Sequence, residues 1–371
     1  MEETEAGREE VKKRGGRKDQ TGDFGNIAEK GREQGRLLTG HTLTDINLGG
    51  EKGVFGLEFG RCYNIWGAEQ SGKSFFCGNM VGYNHMLYGD KFLWKYDDVE
   101  NGFTFKDNGA NLWGVEVIDE SFKPSDSLDQ LLVHITNFCK SVPKGGRGLY
   151  IIDSLDLLMT RAQMAVTDSN IDKIDNGKEA DKATMGAAAR GLYLKQTFFP
   201  KVTSMIKECN VAFFMVSQAS TNMNASMFGP KLTETGGRAK KHANHTVIEL
   251  KNPQKEWHDA AKKLAKSITS TVMVKKGRTA RPYRQNYFTC IFDYGVDSIG
   301  DNIDFLYDWR TDSGKGPNKT AKKSWDEQEF TKEKMIDWIE SREQEDKLEY
   351  LVHEKWEKRE DKVACKRKRR F

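Results

Sequence analysis

Between residues 62 and 296, short apolar runs recur at strand length, separated by longer stretches with helical spacing. The runs at 62–65, 92–94, 148–152 and 211–216 are continuous and rich in β-branched and aromatic side chains. That pattern predicts strands buried on both faces. The runs at 247–250, 270–274 and 288–292 follow one another more closely, as hairpins do, so the sheet is expected to end in antiparallel strands. The stretches 125–140 and 187–208 suit helices. Strand–helix alternation of this kind predicts an α/β fold with a doubly wound, mostly parallel sheet flanked by helices.

The two ends read differently. Residues 1–40 are charged and Gly-rich, and only 24–38 suits a short helix. Gly314, Gly316 and Pro317 mark a loop, and Thr331 starts a charged helical region that runs to about Lys362. Trp338, Ile339, Leu348, Leu351, Val352 and Trp356 form its expected packing face, which reads as a helix pair laid over the core. No internal repeat is evident. The expected organisation is therefore 1–37, an arm with a candidate protomer-contact helix; 38–309, the core; and 310–371, a small helical C-terminal region.

Composition adds little until its distribution is considered. Hydrophobic residues make up 37% and charged residues 31% of the 371, so long solvated segments are expected. No apolar run approaches the roughly 18 residues a membrane span needs. Residues 1–19 mix acid and base with almost no apolar residue, unlike a secretory signal, so an intracellular, cytoplasmic protein is expected. The six cysteines make no C-x-x-C pair and read as free thiols of a reducing compartment. His242 and His245 read as a solvated pair. Net charge is only +4, yet residues 231–285 hold 14 Lys and Arg against 4 Asp and Glu, and the chain ends Lys366-Arg367-Lys368-Arg369-Arg370. Local basic clusters of this kind attract phosphate.

The segment Gly67-Ala68-Glu69-Gln70-Ser71-Gly72-Lys73-Ser74 fits GxxxxGK[ST] at every fixed position, with a strand before it and an apolar helical stretch beginning at Phe75 after it. Glycines let the backbone curl so that several N–H groups face one phosphate, and the helix N-terminus adds partial positive charge. Lys73 is then the cation for the β- and γ-phosphates of ATP, and Ser74 a ligand of Mg²⁺. Residues 67–75 are the candidate nucleotide site.

A second carboxylate is needed to hold magnesium through water, and it should end a neighbouring apolar strand. Asp153, at the end of Leu149-Tyr-Ile-Ile-Asp, meets that description. Hydrolysis also needs a group that orients or deprotonates water. The run Phe92-Leu-Trp-Lys-Tyr-Asp-Asp-Val-Glu100 offers Asp97, Asp98 and Glu100, and chemistry alone does not choose among them.

The order and surroundings of these motifs resemble the RecA family, especially its bacteriophage UvsX-like branch. Leu38-Thr-Gly40, Leu43-Thr-Asp45, Leu48-Gly-Gly50 and Gly60-Arg61 are similar to the family's approach to its first core strand. Tyr96-Asp-Asp-Val-Glu-Asn-Gly-Phe-Thr104 resembles the phage branch's Tyr-Asp-Ser-Glu segment with one residue inserted. The resemblance gives Glu100 the catalytic glutamate role, with Asp98 as the alternative. Met185-Gly-Ala-Ala-Ala-Arg190 resembles the helix that follows the first DNA-binding loop, which places that loop at 161–184 and makes Arg190 a DNA-binding candidate. Phe213-Phe-Met-Val-Ser-Gln218, Met227-Phe-Gly229 and Thr235-Gly-Gly237 are similar to the family's sensor strand and second DNA-binding loop. Gln218 is then the γ-phosphate sensor. Val274-Lys-Lys-Gly-Arg278 with Pro282-Tyr-Arg-Gln285 resembles the segment whose two cations reach the neighbouring subunit's ATP, which implies Lys276 and Arg278. The likeness covers about 38–308. The lysine-rich stretch 252–267 reads as an insertion between two strands, and the basic C-terminus departs from the acidic tail of bacterial RecA.

The resemblance implies an ATP- and Mg²⁺-dependent DNA strand-exchange protein that assembles as a helical filament on single-stranded DNA and takes up duplex. Single-strand-binding and loader proteins are further expected partners. Met223, Met227 and Phe228 suit stacking on bases, while Gly229, Lys231, Thr235, Gly236, Gly237 and Arg238 suit phosphates. The competing readings are a RecA-fold replicative helicase, a non-catalytic ATP-binding mediator and a KaiC-like signalling ATPase.

Overall fold

Successive side chains of the central strands alternate between two apolar faces, and that alternation builds the molecule. Tyr63, Ile65, Leu149, Ile151, Phe214 and Val216 pack on one side with Phe76, Cys77, Met80 and Val81. Cys62, Tyr150, Ile152, Phe213 and Met215 pack on the other with Leu131, Ile135, Phe138, Val202 and Ile206. A strand buried on both sides must be covered by helices on both sides, as the continuous apolar runs imply. The computed structural model describes residues 26–50, 52–100, 112–115, 124–179, 186–221, 232–235, 237–258, 264–278, 281–310, 321–365 and 367.

The strands in chain order are β1 (Arg36–Leu37), β2 (Leu57–Glu58), β3 (Cys62–Gly67), β4 (Phe92–Asp98), β5 (Arg147–Asp153), β6 (Val211–Thr221), β7 (Leu232–Glu234), β8 (Thr246–Trp257), β9 (Ala265–Gly277), β10 (Gln285–Ile291), β11 (Gly295–Val296), β12 (Lys323–Trp325) and β13 (Gln328–Phe330). The helices are α1 (Ile27–Glu33), α2 (Thr42–Gly49), α3 (Lys73–Tyr88), α4 (Leu128–Ser141), α5 (Arg161–Asp175), α6 (Gly186–Tyr193), α7 (Phe199–Glu208), α8 (Gly237–Ala243), α9 (Ser298–Leu306), α10 (Lys332–Ser341) and α11 (Glu345–Val363). A five-residue π segment, Leu194–Phe198, joins α6 to α7.

Among the described residues the main sheet runs β11-β10-β9-β8-β3-β6-β5-β4, with β7 paired to β6 outside that path. Strands β8, β3, β6, β5 and β4 are parallel. Strands β9, β10 and β11 continue the sheet antiparallel, as their close spacing predicts. One expectation needs correction: β5 does not neighbour β3, because β6 lies between them. The 252–267 stretch lengthens the β8–β9 hairpin, with register shifts between Lys251 and Gln254 and at Glu256/Trp257.

Both chain ends share a third core. Ile27, Leu38, Leu43, Ile303, Trp309, Trp325, Leu348, Val352 and Trp356 pack together. The expected packing face of the C-terminal helices is observed, with Ile339, Leu348, Val352 and Trp356 buried and Trp338 and Leu351 partly so. Helix α1 sits on this same protomer, where Asn26 Nδ2 donates to Asp346 Oδ1 at 2.8 Å. His245 is buried rather than solvated, edge-on to the Tyr63 ring at 6.1 Å. No helix of the described residues is long and apolar enough to cross a membrane.

Candidate functional site

Strand β3 ends at Gly67, level with Gln218 on β6 and Leu250 on β8. A Cβ on Gly67 would lie 2.3 Å from the Leu250 carbonyl oxygen and 2.8 Å from Ser71 Oγ, so only glycine fits there. Gln70 (φ 56°) and Gly72 (φ 90°) take left-handed backbone, and the chain curls between them. Helix α3 then starts without a side-chain cap, leaving its first-turn N–H groups available at the loop. Ser270 Oγ donates to the Ser71 carbonyl at 2.8 Å and pins the curl to β9. Lys73 Nζ donates to the carbonyls of Gly67 (3.2 Å) and Ala68 (2.8 Å), folded over the same loop. Burial lowers its pKa, while Asp153 and Glu100 oppose that shift. Uncapped N–H groups, a left-handed curl and an ammonium converge here on an anion-sized turn. Ser74 lies in the first turn of α3 beside them, and Phe75 packs against Trp113 (6.1 Å) and Phe292 (6.5 Å).

The carboxylates gather at the ends of β4 and β5. Asp98 and Asp153 are register partners. Asp153 is nearly buried, and burial pushes its carboxyl up to about 6; the Tyr96 hydroxyl, donating to Oδ2 at 2.7 Å, works against that rise, and Glu100 and Asp98 add to it. A buried carboxylate flanked by two others is short of positive charge, which suits a divalent cation. Of the three candidates at the end of β4, Asp97 now separates from Asp98 and Glu100. Asp97 is fully buried and accepts from Tyr150 Oη (2.7 Å), Ser125 N (2.9 Å) and Ser125 Oγ (2.6 Å), a set of bonds that commits it to structure. Glu100, whose N–H donates to the Asp153 carbonyl at 3.1 Å, accepts from Gln218 Nε2. Strand β6, the one interposed between β3 and β5, is thus what brings Gln218 between phosphate loop and carboxylates.

Beyond Gln218 the chain forms a hairpin stem. Ala219, Ser220 and Thr221 pair with Glu234, Thr233 and Leu232. Met223, Met227, Phe228, Gly229, Lys231 and Gly236 lie outside the described residues. Thr235 Oγ1 donates to the Asp156 carboxylate and to the Gln218 carbonyl (3.2 Å). Gly237 (φ 73°) opens α8, and Arg238 is exposed. The 161–184 stretch is not a loop over its first part: α5 occupies it, opened by a capping box between Thr160 and Gln163. Arg190 is committed to the carbonyls of Leu158 (3.0 Å) and Leu155 (2.9 Å), bracing the 3-10 turn that follows Asp153.

Lys276 and Arg278 lie at the far end of the sheet. Lys276 aligns with Val247 on β8, which aligns with Asn64 on β3, three residues from Gly67 and so about 10 Å along the strand. Lys276 Nζ caps α8 through the carbonyls of Lys241 (2.6 Å) and Asn244 (2.7 Å), and Arg278 meets that of His242 (3.4 Å). These cations do not line their own protomer's phosphate loop.

Lys240, Asp156, Glu234 and Asn64 escaped the sequence reading. Lys240 sits in the run Arg238-Ala-Lys-Lys-His, which looks like a solvated charged face, yet its side chain is fully buried. Its ammonium reaches Ser217 Oγ at 2.7 Å and Asp156 at 3.4 Å.

A family described as RecA N-terminal domain matches residues 21–297. The RecA protein of Streptomyces venezuelae is 27% identical over 270 residues, covering 72% of this chain and 63% of that protein. RecA of Laribacter hongkongensis is 27% identical over 270 residues (72% and 67%), and RecA of Clostridioides difficile 26% over 274 residues (73% and 69%). The chain thus spans about two thirds of the length of these relatives, and less than that of the Streptomyces venezuelae protein. A crystal structure of the RadB recombinase is similar over 70% of this chain and 98% of its own, at 16% identity and a TM-score of 0.46. The matched span takes in the phosphate loop, Asp153 and the Gln218 hairpin, and the chain belongs to the RecA N-terminal domain family.

Proposed function

We propose that this chain is an ATP-dependent DNA strand-exchange protein that works as a filament on single-stranded DNA. The observation that carries the reading is the position of Gln218. Its side chain meets Glu100, and its carbonyl meets Thr235 at the far foot of the hairpin that leads into the second DNA loop. One residue therefore touches both the hydrolytic carboxylate and the DNA element.

Residues 67–74 hold the triphosphate through backbone N–H groups and Lys73. Ser74 and Asp153 would hold Mg²⁺, which would supply positive charge to the phosphate oxygens. Glu100 orients the attacking water and accepts its proton. Lys276 and Arg278 serve the neighbouring protomer's nucleotide; their distance from their own loop supports an action between subunits. The 222–231 loop, with Lys231 and Met227, and the start of α8 with Arg238, take DNA phosphates and bases without reading sequence. Nucleotide contact at Gln218 raises DNA affinity through the stem that pairs 219–221 with 232–234, and loss of the γ-phosphate lowers it. The Tyr96-Asp-Asp-Val-Glu-Asn-Gly-Phe-Thr104 segment supports placement near the bacteriophage UvsX-like branch, acting in the cytoplasm alongside single-strand-binding and loader proteins.

The test pairs a circular single strand with a homologous linear duplex in the presence of ATP and Mg²⁺, with electron microscopy of the protein–DNA complex. Joint molecules and helical filaments are expected. A protein that stayed monomeric on single strands, or that unwound duplex without pairing strands, would set the reading aside.

A further inference from the structure

The second DNA loop has two feet; Gln218 stands on the first and touches the second through a single bond, from Thr235 Oγ1 to its carbonyl (3.2 Å). Strand β6 carries the first foot; β7 carries the second, tied to β6 by three residue pairs. What holds β7 to the rest of the site is a buried polar cluster centred on Lys240, a side chain with 0% exposure. Lys240 Nζ donates to Ser217 Oγ at 2.7 Å and lies 3.4 Å from both Asp156 carboxylate oxygens and 3.9 Å from Glu234 Oε1. Asn64 closes the ring: its Oδ1 accepts from Ser217 Oγ (2.9 Å), and its Nδ2 donates to Glu234 Oε1 (2.9 Å).

Each member of the cluster adjoins a residue of the nucleotide or DNA machinery. Ser217 precedes Gln218, Asp156 lies three residues after Asp153, and Glu234 precedes Thr235. Asn64 stands on the strand that feeds the phosphate loop. Thr235 donates to the same Asp156 carboxylate. Arg190, braced on the carbonyls beside Asp156, adds the second positive charge that two carboxylates require. Lys240 is fully buried and its carboxylates are partly so, so parting them would leave the ammonium uncompensated in the interior, which favours movement of the cluster as a unit.

We propose that Lys240 is a positioning residue that carries nucleotide state from Gln218 to the far foot of the 222–231 loop, by locking Ser217, Asp156 and Glu234 into one rigid body. The proposal rests on the strand-exchange reading and deepens it. Displacement of β6 at Gln218 is then passed through Ser217 and Lys240 to Glu234 and Thr235, so both feet of the loop shift together. Without the ammonium the far foot follows through the short β6–β7 ladder and the neutral-donor bonds of Thr235 and Asn64, with no charge to hold Asp156 and Glu234 to Ser217.

The experiment measures the affinity of the full chain for an oligo-dT strand with a non-hydrolysable ATP analogue and with ADP. The ratio of the two affinities reports the coupling, which for such linked sites runs at roughly 5–150-fold. Lys240→Met and the triple Lys240→Met/Asp156→Asn/Glu234→Gln, which removes the ammonium together with both carboxylates it faces, are compared with wild type. The single variant is expected to lose melting temperature. The triple variant is expected to regain it and to bind the analogue within about threefold of wild type, while its ratio collapses to within about twofold of one. A purely structural role would return the ratio together with the melting temperature, and a triple variant with the wild-type ratio overturns the proposal. Amide exchange in wild type gives an answer independent of the variants: residues 232–235 should gain protection when the analogue is added without DNA, and no gain overturns the proposal as well. A wild-type ratio of one strikes at the strand-exchange reading itself.

Discussion

Gln218 Nε2 lies 3.1 Å from Glu100 Oε2 and 3.3 Å from Oε1, so the side-chain amide on β6 holds the carboxylate. An amide donor shared by a carboxylate is a two-position device: it serves the carboxylate in one state and can serve a phosphate oxygen in another. Its backbone carbonyl is tied to Thr235, so either position is felt at the hairpin stem.

Gln218→Met keeps the length of the side chain and removes the amide. DNA-stimulated ATP turnover should fall by roughly 5–150-fold, the usual span of a coupling between sites, while ATP affinity stays within about twofold. Steady-state rates with and without single-stranded DNA, alongside a direct nucleotide-binding assay, measure both. A parallel loss of ATP affinity would show that Gln218 holds nucleotide instead of relaying its state.

Tyr96 orients Asp153 by donating to Oδ2 at 2.7 Å. Removing a hydrogen bond that orients a metal ligand weakens the metal by roughly 10–100-fold. Tyr96→Phe should raise the Mg²⁺ concentration for half-maximal turnover by that order, with little change in the maximum. A Mg²⁺ titration that superimposes on wild type would contradict the place given to Asp153.

On the proposed filament reading, Lys73 and Lys276 meet in one composite site supplied by two neighbouring protomers. Lys73→Ala and Lys276→Ala should each abolish DNA-stimulated turnover, and Lys276→Ala should also weaken filament assembly. Mixed together, the two inactive proteins should recover activity, because some interfaces then pair an intact Lys73 with an intact Lys276. Failure of the mixture, with each protein able to enter filaments, would place both lysines in one protomer's site.

Glu349 offers a pH test away from the chemistry. It lines a cavity of about 180 Å³ with Asp45, Ser298 and Asn302 between the core and α11. Thr42 Oγ1 donates to Oε1 at 3.1 Å, whereas Oε2 is sealed from solvent with no hydrogen-bond partner among the described residues. Burial pushes Glu349 up to about 7, and Asp45 beside it also to about 7. A carboxyl raised in the folded state costs nothing below its unfolded pKa, and its cost grows as pH rises towards the folded pKa. Glu349→Gln should therefore stabilise the protein by up to about 3 kcal/mol above pH 7, by under about 1 kcal/mol at pH 5, and not at all near pH 4. Denaturant unfolding at pH 5 and pH 8 reads the difference; an equal gain at both would remove the titration.

Much of this architecture is legible in the chain. The 67–74 loop declares itself because phosphate binding fixes residue types at fixed spacing, and Asp153 because a long apolar strand ends in a carboxylate. The Val247, Val272 and Phe288 strands show their hairpin order through short connections. Spatial order is another matter. Nothing local says that β6 slips between β3 and β5, though this places Gln218 where it works. The loop expected at 161–184 rests on the resemblance of the 185–190 segment alone, and a resemblance does not report the Thr160–Gln163 capping box that opens a helix over 161–175. Lys240 was hidden for another reason: three cations in five residues look solvated, and only the fold shows which of them turns inward to Asp156 and Glu234.

The initial rate of ATP hydrolysis, measured at one protein concentration as single-stranded DNA is added, tests the link between phosphate loop and DNA loop most directly. The account predicts a rate that climbs with DNA and saturates, and a climb that disappears in Gln218→Met. A wild-type rate that is the same with and without DNA would contradict it.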